Sequence, residues 1–591
     1  FDSEPEAIEA LQTRRDGALG FDDHVTVELD PFLTYREIST FSVNASGTQA
    51  DSFAGGRASQ VAWKGDWQAA VARTPYGWAA EIAIPFEILN FEDGVDEIGV
   101  NFVRYHHRTA ETSRWADITV RALPEEMGRL TGLRPAPPDG GSAWTFLPYV
   151  TAGRQVPDRR GRIRDELVSA GVDIRYEPRP NLTGVVSLLP DFSQVEQSIA
   201  SIDFSYSEKF RSDLRPFFQE GAAYFGDTAA GKKASLTTPY FYSNRVPDFD
   251  VGAKAFGRAD GLQFGALATR AHGDRSDLAA HVQQQFDRTH HVSAMAVGTD
   301  RPELDNQLVA LRAAGRQPSG FDYALDAAVT RTDPDPGDGT YASAALGWAH
   351  RHWSVSGSAS RYSRGFFPAN GLLPADLPDT RGGSASVDYY RDRPHGALRE
   401  VYASLSGDWR ETGDGRLQRR KLYASGSLEW REPQVRVGAS VGAGPYRPVG
   451  ASPGAWSGLT NDDRYVTLAA DFNTRSSRLL YGAALASGEL GGGDYRYAIA
   501  YVSARPTRTL ALSLTTERLE NFGTFRQTAL TGTWDVTPQH AVAGRWLRTD
   551  AGDAHRLSSA WRVRKNVDVF VVYDHSPGLH AQVSAKVRFT Y

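Results

Sequence analysis

Leu579–His580–Ala581–Gln582–Val583–Ser584–Ala585–Lys586–Val587–Arg588–Phe589–Thr590–Tyr591 ends the chain, and its odd positions are all apolar while its even positions are all polar. A period of two sends these sets to opposite faces of one strand. In a membrane barrel the apolar set meets lipid and the polar set a wet lumen; in a soluble sandwich the same alternation separates core from water. Recurrence favours the barrel. Val401 to Trp409 and Leu422 to Trp430 repeat the pattern, with Tyr402, Ser404, Ser406 and Asp408, then Tyr423, Ser425, Ser427 and Glu429, as polar sets. Val466 to Phe472, Leu510 to Leu514 and Val567 to Tyr573 follow suit, and an aromatic residue often closes the apolar face, as a membrane-interface girdle requires.

Length and composition set the limits. A chain of 591 residues exceeds one ordinary core. No run reaches the roughly 18 uninterrupted apolar residues of a spanning helix, and 41% hydrophobic residues suffice where only every second position meets lipid. With no cysteine, disulfides, zinc-thiolate sites and thiol nucleophiles are absent. The sequence begins at Phe1, so a processed or incomplete start is expected for a chain that must cross an inner membrane. Residues 1–138 hold 12 Lys+Arg against 22 Asp+Glu, net −10; the remainder holds 53 against 49, net +4. An acidic front argues against a nucleic-acid partner.

The pattern predicts an all-β chain with two domains. Residues 1–133 read as short strands and turns of an antiparallel β-sandwich, with strands at His24–Leu29, Trp67–Arg73, Trp78–Ile84 and Ile98–Tyr105. Residues 134–141, rich in Pro and Gly, read as a linker. Residues 142–591 read as a transmembrane antiparallel barrel of about 24 strands, within a range of about 22 to 26, because bacterial barrels close on an even number. Closure pairs Trp144–Gln155 with the terminal strand. Short turns such as Pro506–Arg508 fall on the periplasmic side and long connections such as Ser363–Thr380 and Pro445–Asp462 outside.

Residues 208–246 break the alternation, with Arg215–Pro216–Phe217–Phe218–Gln219–Glu220–Gly221 and Tyr240–Phe241–Tyr242. A charged pair among aromatic rings is costly in lipid and tolerable in a lumen, so Asp191, Arg215, Phe217, Phe218 and Glu220 are the candidate plug or constriction residues.

Leu189–Pro190–Asp191–Phe192–Ser193–Gln194–Val195–Glu196, the Arg215–Gly221 segment and Phe241–Tyr242–Ser243–Asn244–Arg245 together resemble the signature of the outer-membrane proteins grouped as DUF5916. Asn244 before the arginine and the missing acidic residue after Glu196 depart from that pattern. The front domain, with Asp22–Asp23, Phe41–Ser42–Val43–Asn44, Gly77–Trp78, Ile84–Pro85–Phe86 and Gly99–Val100–Asn101–Phe102, is similar to the carbohydrate-binding family 9-like sandwich that precedes those barrels. The terminal aromatic residue resembles the insertion signal of outer-membrane barrels. These resemblances imply a Gram-negative outer-membrane protein with a periplasmic front domain, in contact with lipid and with carbohydrate or other envelope proteins as partners.

The densest polar-aromatic cluster of the front domain supplies the candidate ligand residues Arg104, Tyr105, His107 and Trp115, since sugars stack on rings flanked by polar groups. Asp22 and Asp23 have the chemistry of a calcium pair and the position of a strand-entry turn; no other cofactor is expected. The Gly438–Ala439–Ser440–Val441–Gly442 string matches a nucleophile elbow, yet it lies inside an alternating run, and no carboxylate pair is spaced for glycoside hydrolysis. The expected function is binding and passing or retaining a glycan or another extended ligand. An envelope scaffold is the alternative, and an outer-membrane hydrolase ranks behind both.

Overall fold

The computed structural model describes residues 4–33, 38–52, 67–89, 91, 94–116, 126–133, 144–157, 163–179, 181–190, 213, 215–225, 240–259, 261–374, 376–393, 395–448, 460–476, 478–564, 567–578 and 580–589. Outside these lie the 134–141 linker, Asp191, Trp63, and the terminal residues Leu579, Thr590 and Tyr591. Among the described residues no helix is long and apolar enough to cross a membrane.

In the front region β1 (His24–Asp30), β2 (Ser39–Asn44), β3 (Gln49–Ser52), β6 (Glu97–His106), β7 (Glu111–Arg114) and β8 (Gly128–Thr131) form one antiparallel sheet, and β4 (Gln68–Thr74) pairs with β5 (Gly77–Ala83). Leu29, Phe41, Trp67, Leu89, Phe91, Ile98 and Val100 are buried together, with Ala69 and Ile82 of the small sheet packed on them. Trp67 is held edge-on to Phe41, and its indole N–H donates to Asp51 Oδ2 at 2.8 Å, which pays for the buried nitrogen. Asp22 and Asp23 accept backbone N–H groups of Glu9, Leu11, Gln12 and His107, pinning the segment before β1.

From β9 (Trp144–Pro157) to β32 (Gln582–Phe589) the chain forms a closed antiparallel barrel of 24 strands, each paired with its neighbour in sequence, and β32 returns to β9. The closing register sets Val587 against Val150 and Arg588 against Tyr149. Closure leaves no sheet edge to meet lipid.

The alternation holds along the wall. Leu278, Val309, Leu311, Val329, Leu346, Leu405, Leu468, Leu485 and Leu557 are exposed on the outside, an apolar band of the kind that meets hydrocarbon. Trp353 packs against Tyr389, and Phe472 stacks on Tyr481, near one rim. On the inside Arg588 reaches Asp568 at 2.9 Å and Lys586 lies 4.4 Å above the Tyr149 ring, so the terminal strand has the register its sequence implies. The same rim carries both ends of the barrel chain and short turns, such as 431–434 and 538–539; of the longer connections, the described residues 189–190 and 240–250, 363–374 and 376–379, and 447–448 and 460 belong to the opposite rim.

Candidate functional site

One side of the lumen is filled. In the connection between β11 (Leu182–Leu188) and β12 (Val251–Ala259), residues 213, 215–225 and 240–250 fold back against the inner wall. Its short helix α1 (Pro216–Gln219) packs Phe217 against Phe218 and Phe249, with ring centroids 5.2 and 4.9 Å apart. Gly221 turns the chain at φ +68, where a Cβ would also meet the Phe256 ring at 2.6 Å. Tyr224 and Phe225 then lie over β13 (Leu262–Ala271): a Cβ on Gly265 would strike the Tyr224 carbonyl oxygen at 2.8 Å.

Part of the covered wall is apolar on both faces. Phe256, Leu267, Ala279, Met295, Val297, Leu308, Ala310 and Tyr341 point inward and are buried with Phe217, Phe218, Tyr224, Phe225, Tyr240, Val246 and Phe249. A lumen-facing strand would ordinarily be polar; here the folded-in segment replaces water. Tyr240 meets Tyr341, while Tyr242 is buried and donates its N–H to the Asn370 carbonyl at 2.6 Å. Asn370 belongs to 363–379, a connection at the long-loop rim that also turns inward. Its side chain bonds Asp277 at 2.8 Å, Arg275 reaches both Asn370 Oδ1 and the Arg245 carbonyl, and Phe366 stacks on Tyr341.

Charge is buried beneath this cover. Glu220, 3% exposed, is bonded by Arg175 of β10 (Ile163–Arg179), and its Oε2 lies 3.7 Å from Lys254 Nζ. Lys254 also donates to the Phe217 and Glu220 carbonyls at 2.5 and 2.6 Å. Arg215 forms a bidentate pair with Asp213, donates to the Val246 and Ser243 carbonyls, and lies 4.3 Å over the Phe218 ring. Glu220 is therefore tied to the wall, whereas Arg215 braces the segment internally.

Beside the filled side, the mid-height inward wall is hydroxylated and, among the described residues, uncovered. Inward positions of β19 (Trp353–Tyr362), β20 (Thr380–Asp392), β21 (Leu398–Thr412), β22 (Leu417–Trp430) and β23 (Val435–Tyr446) bring Ser356 and Ser358 beside Ser386 and Ser384, Ser386 opposite Ser406, and Ser404 opposite Ser425 and through it Ser440. Cross-strand hydroxyl pairs form at 2.9 and 2.8 Å. Two charged pairs lie among them: Arg419 with Asp408, and Lys421 with Asp463 at 2.7 Å. Ser440 sits in a regular ladder, so the strained strand-to-helix turn of a nucleophile elbow is not built there.

At the short-turn rim Glu429, 2% exposed, is held by Arg399 and Arg475 at 3.2 Å and by Arg436, whose Nε is 3.1 Å away. Tyr105 faces this cluster. Burial raises its phenol above the ordinary range, ahead of the opposing effect of the Arg399 guanidinium. His107 lies 6.4 Å from the Tyr105 ring and 3.4 Å from Glu9. Arg104 pairs in register with Val25 and Ser113, on the sheet face opposite Tyr105, and Trp115 packs edge-on against Phe102 on that face. Of the four front-domain candidates the structure brings Tyr105 and His107 together and sets Arg104 and Trp115 apart from them. The Glu429 cluster had no local signal, because its arginines stand 30, 7 and 46 residues away in sequence.

Residues 144–255, from β9 to the start of β12, match the family model described as Domain of unknown function (DUF5916). Arg175, Glu220 and Lys254 all lie within that stretch. No curated protein matches the chain. Among solved structures, the chain is similar to the copper transporter OprC (10% identity, TM-score 0.42, covering 83% of this chain and 86% of that one). It is also similar to the siderophore receptor PirA from Pseudomonas aeruginosa (9%, 0.43, 83% and 86%) and to the FrpB iron transporter from Neisseria meningitidis, F3-3 variant (10%, 0.36, 76% and 82%).

Proposed function

We propose that this protein is an outer-membrane barrel that binds and passes an extended, hydroxyl-rich ligand of the glycan class along the hydroxylated wall of its lumen, with the front region on the periplasmic side. The observation that carries the reading is the inward serine belt of β19 to β23 beside a folded-in, apolar-cored segment. Hydroxyls donate and accept alike, so a row of them matches the mixed donor and acceptor pattern of a sugar chain. Paired charges add polarity without selecting an ion. Within the 208–246 segment, residues 213, 215–225 and 240–246, with Arg215, Phe217, Phe218 and Glu220, act as the constriction that narrows a ring otherwise roughly 45–50 Å across for 24 strands.

Ion current through the reconstituted full chain tests this. Linear maltooligosaccharides of graded length should block the current, and the Ser386→Val, Ser406→Val double variant should weaken the block severalfold. Equal block by polyethylene glycol of the same size, or none by either, would refute glycan-class binding. The scaffold reading rests on one observation, the exposed Trp115 and Phe102 pair on the outer sheet face, 62% and 50% accessible.

A further inference from the structure

The front region touches the short-turn rim at points on opposite sides of the ring. Phe32, just after β1, lies beneath Arg258 of β12, with the guanidinium 4.7 Å from the ring centroid. Thr109, in the turn between β6 and β7, accepts a hydrogen bond from Arg475 Nη1 at 2.7 Å, in the turn after β24 (Asn461–Phe472). Counted from β9, β12 is the fourth strand of the ring and β24 the sixteenth, twelve places apart in a ring of 24. Between these anchors, Arg478 reaches Glu9 at 3.0 Å, and Arg14 lies 3.7 Å from Asp535 of β28 (Thr524–Thr537), the twentieth strand.

We infer that the front region is a lid seated across the short-turn mouth of the lumen, latched by the Glu429 cluster, and that a ligand crosses only when the lid moves. This rests on the passage reading above. A body of about 130 residues has a radius of gyration of roughly 14 Å and a width of roughly 36 Å, which spans most of such a mouth. Arg399 and Arg475 each use one arm on Glu429 and another on the carbonyl of Ala110 or Thr109, at 3.4 and 2.7 Å. The carboxylate thus orients two donors for the lid. The same two arginines can release the lid without leaving Glu429 alone, because Arg436 still pairs with it.

The absence of native cysteine makes the test clean. Ala543→Cys places a thiol on the inner wall of β29 (His540–Thr549), three residues inside the mouth. In a planar bilayer, a bulky maleimide added on the lid side should label it slowly. The Arg399→Ala, Arg475→Ala background should speed labelling about tenfold or more, the effect of losing one charge-assisted hydrogen bond. Separately, a Glu9→Cys, Arg478→Cys chain should be joined by a short bismaleimide, and the join should fail in the same arginine-free background. Fast labelling with the arginines present, or unchanged labelling and joining without them in a barrel that remains heat-modifiable, overturns the lid. Neither readout uses a sugar, so a lid that behaves as stated while oligosaccharides fail to block would sink the passage reading alone.

Discussion

Replacing Glu220 by Ala removes the carboxylate that Arg175 and Lys254 both reach, and their side chains are 3% and 0% exposed. Two buried cations then lose the counter-charge they share. Breaking a buried pair from one side costs about 3–5 kcal/mol. Lys254 keeps its two carbonyl acceptors, which sets the expectation at the lower end, about 3 kcal/mol. Against this, burial of Phe217 and Phe218 contributes about 1.5–3 kcal/mol each. The loss is comparable to what seats the segment and small beside a 24-strand ladder, so the segment should loosen while the barrel stays folded. Hydrogen exchange by mass spectrometry over residues 216–225 should rise by a factor on the order of 100, which is about 3 kcal/mol, and single-channel conductance should increase. Adding Lys254→Met, which removes one stranded cation, should return part of the protection. Exchange within about twofold of the parent for Glu220→Ala would refute the argument that buried charge holds the cover in place.

Other outcomes follow from the same geometry. Asn370→Ala should cost about 1–3 kcal/mol of local stability by removing the amide that both Asp277 and Arg275 bond, although the two keep each other, read as faster exchange at the Tyr242 amide. On the outer face, Val583→Lys should lower barrel stability by roughly 2–4 kcal/mol in a denaturant titration in lipid, whereas Ser356→Lys on the inner wall should change it by less than about 1 kcal/mol. In the front region, Asp22→Ala strands the N–H groups of Leu11 and Gln12 and the Asn44 amide; a loss of about 2–3 kcal/mol should appear as an earlier melting step, with the barrel transition unmoved.

The barrel was legible because a period of two survives in most strands, so strand number, closure and the inward register of Lys586 and Arg588 could be read from residue order. The filled side was harder. Residues 363–379, with Gly365, Pro368, Asn370 and Pro374, carry the turn chemistry of an outer loop, and only Phe366, Phe367, Leu372 and Leu373 hint that it turns inward. A second signal was present in Leu308–Val309–Ala310–Leu311, apolar on both faces where an open lumen would demand alternation. Arg104 and Tyr105 show the opposite failure: neighbours in sequence, they are sent to opposite faces by the pleat, so a dense cluster in the sequence divides in space. Glu429 and its arginines come from separate strands and turns, and no window of sequence holds them together.

The lid contacts have a consequence for how the molecule is made. Glu9 and Arg478 are 469 residues apart, and Thr109 and Arg475 are 366 apart. Contacts this remote contribute nothing until the intervening chain is in place. The front region emerges from synthesis before the barrel, yet the surface it rests on exists only once β12 and β24 stand on opposite sides of a completed ring. Seating is thus a measurement of circumference: a barrel left ajar, or one strand pair short, presents anchors at the wrong separation and cannot engage both ends of the lid at once.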